Sequence, residues 1–194
     1  MRWLIGLVAC AVLAGLLSID KASAAFRAIT STTGTWTSAA TYPGGNLTDW
    51  GQNSLGQLGI GSTTDSPSPV HVGSATTWAK PAAGGAFACA VRTDGTLWCW
   101  GDNSKGQLGL GDLINRTSPV QVTTPGTWSA VTAGAAHTCG KRTTGNSVWC
   151  WGNNSFGQLG LGDHTNRKTP AQLSGFSSTS VATGPTAFFT LAAS

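Results

Sequence analysis

Trp50-Gly51-Gln52-Asn53-Ser54-Leu55-Gly56-Gln57-Leu58-Gly59-Ile60-Gly61 returns almost unchanged as Trp100-Gly101-Asp102-Asn103-Ser104-Lys105-Gly106-Gln107-Leu108-Gly109-Leu110-Gly111. It returns again as Trp151-Gly152-Asn153-Asn154-Ser155-Phe156-Gly157-Gln158-Leu159-Gly160-Leu161-Gly162, the copies starting 50 and then 51 residues apart. Pro69, Pro119 and Pro170 hold one register, as do Trp78 and Trp128, and Val181-Ala182-Thr183-Gly184 echoes Val131-Thr132-Ala133-Gly134. Modules of about fifty residues therefore run at 29–78, 79–128 and 129–178, with the opening of a fourth at 179–194. A repeat of this length means stacked supersecondary units, each burying its faces against copies of itself.

Each module parses into short strands. Phe87 to Arg92 and Leu97 to Trp100 flank Asp94-Gly95, a hairpin signal, and Gly145-Asn146 stands at the matching turn of the next module. In Trp98-Cys99-Trp100 the period of two sends both indoles to one face and the sulfur to the other. Val70-Val72 and Val120-Val122, each bounded upstream by Pro, make another strand, and the stretch around Trp128 to Thr132 a fourth. Of the 194 residues only 9% are charged, 27 are Gly and no Glu occurs, which excludes a helical bundle. Nine Trp and six Phe exclude a disordered chain. The expected class is all-β, with about four strands per module as in the blades of a β-propeller.

His137-Thr138-Cys139, Trp149-Cys150-Trp151-Gly152 and Gly157-Gln158-Leu159-Gly160 resemble the repeats of the regulator of chromosome condensation family, in its secreted, bacterial-type branch. That resemblance covers nearly all of the chain beyond residue 24 and implies a seven-bladed propeller with about fifty residues per blade. Here the chain holds three such blades and a fraction, fewer than the ~4 that close a ring. The expectation is an incomplete propeller: open, completed by another chain through self-association, or one piece of a longer array.

Arg2, the apolar run Trp3 to Leu17 and Ala22-Ser23-Ala24 read as a cleavable export signal over residues 1–24, shorter than the ~20 apolar residues of a membrane span. Without it the array at 25–194 carries a net charge of +3, spread along the chain, which implies no nucleic-acid partner. Four cysteines then remain, Cys89, Cys99, Cys139 and Cys150. The first module has Ala39 and Asp49 at the two matching positions, so both sulfurs are absent together. This favours Cys89–Cys99 and Cys139–Cys150 disulfides within single hairpins, in an oxidising compartment. A metal site on the same residues would lack the usual C-x-x-C spacing.

The glycine string lacks the Lys-Ser/Thr of a phosphate-binding loop, so its glycines are read as backbone turns needing positive φ. Trp50-Gly51, Trp100-Gly101 and Trp151-Gly152 are read as structural repeat residues. Asn53, Asn103 and Asn154 are expected to close Asx turns, and Gln57, Gln107 and Gln158 to satisfy backbone groups between blades. His137, in the register of Phe87, reads as a packing residue, and no catalytic constellation, metal or cofactor is implied. Variation concentrates after the glycine string, in Thr63 to Ser66, Leu113 to Arg116 and Thr165 to Lys168. Asp65, Asn115, Arg116, Asn166, Arg167 and Lys168 are the candidate partner-binding residues there, with Arg116 and Arg167 forming a basic stripe. The expected function is an exported, non-catalytic module, secreted, periplasmic or at the cell surface, that grips a protein or cell-surface ligand through its loops. Guanine-nucleotide exchange, which the resemblance implies for the family namesake, and a cell-envelope polymer enzyme are the alternatives.

Overall fold

The computed structural model describes residues 45–178, 180–184 and 186–193, so the leader expected at 1–24 lies outside the described residues. Thr48–Gly51 (β1) pairs with Ser66–His71 (β2). Trp78–Ala83 (β3), Phe87–Arg92 (β4), Leu97–Gly101 (β5) and Arg116–Gln121 (β6) then form an antiparallel sheet in sequence order. Trp128–Ala133 (β7), His137–Arg142 (β8), Ser147–Gly152 (β9) and Arg167–Ser177 (β10) repeat it. Ser180–Ala182 (β11) pairs with Leu191–Ala193 (β12). No helix occurs among the described residues. The architecture is a partial propeller of four-stranded blades.

Both faces of a blade are covered, which is why β4 is buried from Phe87 to Val91 without a polar interruption. Ala88, Ala90, Trp98 and Trp100 pack toward the preceding module with Leu47, Val72 and Trp78. Phe87, Cys89, Val91 and Cys99 pack the other way, against Leu108, Trp128 and Trp151 of the module seams that follow. The alternation expected of Trp98-Cys99-Trp100 thus decides which seam each side chain fills. At the last seam Leu159 and Val148 meet Leu173, Phe176 and Val181. Beyond it Phe156, Phe188, Phe189 and Leu191 are exposed.

The hairpins explain the change of spacing from 50 to 51. In the first, Gly95 takes φ 80° and its N–H bonds to the Arg92 carbonyl. In the second, one added residue puts both Gly145 and Asn146 at positive φ, 69° and 50°. The strands downstream stay in register, so Cys89 faces Cys99 and Cys139 faces Cys150, and each pair is joined by a disulfide with a Cα–Cα distance of 4.1 Å. In the first module Asp49 stands in the sulfur register, where burial pushes its carboxyl up to about 6.

One strand boundary differs from the expectation. Pro69, Pro119 and Pro170 lie inside β2, β6 and β10 and do not bound them. Each of these strands is the outer edge of its sheet, where a residue without an N–H costs no ladder hydrogen bond.

Each disulfide closes a loop of about ten residues, worth ~2–3 kcal/mol. Urea unfolding of the Cys89→Ala/Cys99→Ala protein is expected to show that loss, and wild-type protein under reductant a larger one. Equal midpoints for oxidised and reduced wild type would contradict it.

Candidate functional site

Antiparallel order fixes what lies at each end of a blade. The β3–β4 turn and the long β5–β6 loop share one end. The β4–β5 turn and the β6–β7 link share the other. The glycine strings are therefore all at one end, in loops 52–65, 102–115 and 153–166.

Each loop is built around one asparagine with no exposed surface, Asn53, Asn103 or Asn154. The Asn103 side chain accepts from the Leu108 N–H at 3.0 Å and donates to the Asp112 carbonyl and carboxylate at 3.1 and 2.9 Å. Asn154 repeats this with Leu159 and Asp163, and Asn53 with Leu58, Ser62 and Thr64. These contacts span five to eleven residues, so the asparagines brace whole loops and do not close Asx turns. The Asx turns fall one residue earlier, where Asp102 and Asn153 accept from the N–H groups of Ser104 and Ser155.

Gln57, Gln107 and Gln158 also act differently from the expectation. Their side-chain oxygens accept from Leu55, Lys105 and Phe156 N–H groups inside the same loop. It is their backbone carbonyls that cross the seam. Trp100 Nε1 donates to the Gln57 carbonyl and Trp151 Nε1 to the Gln107 carbonyl, both at 2.9 Å. Thr138 adds a second bond to Gln107 and Thr190 one to Gln158. Side-chain type alone could not reveal this, because the crossing group is backbone.

The candidate partner-binding residues divide by burial of their polar groups. Asp65, Asn115 and Asn166 accept from the backbone N–H groups of Asn53, Asn103 and Asn154 at 2.7 to 2.8 Å. This register sets His164-Thr165, not Thr165-Asn166, opposite Leu113-Ile114. Arg116 and Arg167 form ion pairs of 2.5 Å with Asp112 and Asp163 and donate to the Ile114 and Thr165 carbonyls. The expected basic stripe is therefore neutralised in place. Lys105 and Lys168 are exposed and engage in no ion pair among the described residues. A Cβ on Gly106 would meet the Lys168 Cγ at 3.3 Å, so Lys105 and Lys168 flank one seam. Leu113 and Ile114, 48% and 64% exposed, stand on the same loop. His164, the counterpart of Leu113, lies over Gly157, the counterpart of Gly106. Around Gly106 that space is taken by Lys168 and the Arg167 carbonyl of the following blade.

Sequence reading missed two arginines. The Arg92 guanidinium lies 3.8 Å from the ring centre of Trp98 and 4.6 Å from that of Trp78. Arg142 lies 3.7 Å from Trp128 and 5.1 Å from Trp149. Each cation is held between two indoles, and burial lowers the Arg142 pKa. The signal was there: Arg92 and Arg142 are fifty residues apart, like Trp78 and Trp128, and Trp98 and Trp149 are 51 apart.

His137 has no exposed surface, and its Nε2 is 3.0 Å from Thr190 Oγ1, whose hydrogen is directed at the Gln158 carbonyl. Nε2 must then carry the proton, leaving Nδ1 buried without a partner. Burial lowers the imidazole pKa to about 4. Among the described residues no three His, Cys, Asp or Glu side chains gather as a metal site.

The Regulator of chromosome condensation (RCC1) repeat model matches residues 45–91, 94–140 and 146–190. The chain belongs to this family. A second RCC1 repeat model matches residues 128–158. No curated protein matches the sequence. Among solved structures, human WBSCR16 is similar at TM-score 0.66 and 22% identity, over 80% of this chain and 42% of that one. Prp20p from Saccharomyces cerevisiae is similar at TM-score 0.65 and 18% identity, over 72% of this chain and 37% of its own. The chain thus spans about two fifths of the RCC1-type structures it matches, and the likeness is one of fold.

Replacing Asn103 by Ala removes the donor and acceptor that brace its loop, and a loss of ~2–4 kcal/mol is expected in urea unfolding. His137 is protonated in the unfolded chain below 6.5 but in the folded one only near 4. Stability is therefore intact above pH 6.5 and falls on acidification toward pH 4, by up to ~3 kcal/mol. The difference between wild type and His137→Phe, followed from pH 7 to pH 4, should report that loss.

Proposed function

We propose that this chain is part of an exported, non-catalytic RCC1-repeat propeller that binds a protein partner at the glycine-string end. The carrying observation is the loop of residues 102–115. Asn103 and the Asp112–Arg116 pair hold it rigid, yet it presents the adjacent exposed aliphatic side chains of Leu113 and Ile114, and it also carries the exposed Lys105, with Lys168 of the next blade against its Gly106. A braced loop loses little conformational entropy on binding, and large aliphatic side chains held exposed on a rigid base mark an interaction surface. The lysines suit an acidic surface on the partner. The yeast Prp20p structure is described with its binding properties to Gsp1p and histones, and another holds it bound to Kap60, so this architecture does serve protein recognition in a relative. The two disulfides favour an oxidising compartment, in keeping with export.

The test is capture from the host's extracellular or periplasmic fraction by immobilised chain. A protein retained by wild type should be lost by Leu113→Ser/Ile114→Ser and weakened about tenfold by Lys105→Glu/Lys168→Glu, with the attraction falling as salt rises. Capture that is indifferent to both variants would refute the assignment, as would a reporter fusion retained in the cytosol.

A further inference from the structure

At the opposite end, the segment entering β1 with the β2–β3 link, and the β4–β5 turn with the β6–β7 link, enclose shallow grooves in successive modules. One of about 150 Å³ is floored by Leu47 and Val72. The other, of about 260 Å³, is floored by Leu97 and Val122, fifty residues further on, with Trp128 in its wall. The four floor residues are at most 7% exposed. The rims are in register too. His71 and Ser74 of the first groove correspond to Gln121 and Thr124 of the second, which adds Thr123 and Thr127. None of these six rim side chains has a hydrogen-bond partner among the described residues. No Asp, Glu, Lys or Arg lines either groove.

We propose that these grooves are tandem binding sites for a neutral polysaccharide. Three features select that ligand. Amide and hydroxyl groups both donate and accept, which matches the hydroxyls of a sugar ring, and the apolar floor suits the ring's C–H face. The lack of charge at the rim disfavours phosphates and acidic polymers, whose desolvation would go uncompensated. Repetition in one register is the third. A polymer of identical units can fill both sites at once, and the second contact then acts at high effective concentration. An ordinary peptide has no such period. In the third module β10 runs on to Ser177, opposite Ser147, and the Ser178 N–H bonds to the Asn146 carbonyl, so the chain itself crosses this position.

Native electrophoresis of the full chain through gels cast with a β-glucan, a mannan, dextran or alginate tests the assignment. Retardation in at least one neutral gel is expected, with the apparent affinity reduced at least threefold in Gln121→Ala/Thr124→Ala and in Thr124→Trp, which fills the groove. Leu113→Ser/Ile114→Ser, at the other end, should migrate like wild type and so separates this site from the protein-binding one. Circular dichroism confirms that each variant is folded. Mobility unaltered in every neutral gel, retardation shared equally by the groove variants, or retardation in alginate alone would overturn it.

Discussion

A backbone carbonyl meeting an indole N–H across the first two seams, and a threonine hydroxyl across the last, is the contact on which the array depends. Gln57 and Gln107 lie in loops of one module, and the indoles of Trp100 and Trp151 that reach them belong to the next. The approach requires glycine nearby. A Cβ on Gly59 or Gly109 would stand 2.7 Å from the indole nitrogen, and both residues hold positive φ. The hydrogen bond itself contributes about 1 kcal/mol, but an indole buried without it would cost ~1–3. A loop displaced from this seam would strand the largest side chain of the neighbouring core. Folding of each module is thereby tied to its neighbour, as in other linear repeats.

That tie shapes the two ends unequally. At one end the loops are fixed twice, by the internal asparagine and by the seam, so side chains at their tips are held out from a rigid base. Leu113 and Ile114 stay exposed because the loop cannot collapse to cover them. At the other end, blades are joined by short links over the hairpins, and their meeting leaves grooves with apolar floors. Arg92 and Arg142 work from the hairpin strands, filling the gap between two indoles with a cation whose stem is apolar. The Arg142 guanidinium also donates to the Gly126 carbonyl at 2.6 Å, joining the hairpin of one blade to the link before it.

Much of this was legible in the chain because repetition supplies its own controls. Cysteine appears only where a module holds two, and the structure joins those pairs. The period of two in Trp98-Cys99-Trp100 assigned each side chain to its seam. Polar residues were harder. Asn103 and Gln107 were recognised as structural, yet their partners lie up to nine residues away or are reached through the main chain, and side-chain identity does not encode such distances. Arg116 and Arg167 looked like a free basic stripe because Asp112 and Asp163, four residues before them, were not seen to fold back onto them.

The sequence by itself determined the repeat length, the number of strands in a module, the hairpins and the cysteine pairs. All of these follow from local periodicity and from comparison of one module with another. Only the tertiary structure decided which polar groups are consumed internally and which remain at the surface. Hydrogen-bond satisfaction depends on distances across seams and loops, and identical residues in a repeat can be buried in one place and bare in another. His137 shows the difference: it stands where the preceding blade has Phe87, and only its depth and its contact with Thr190 reveal a neutral imidazole that resists protonation.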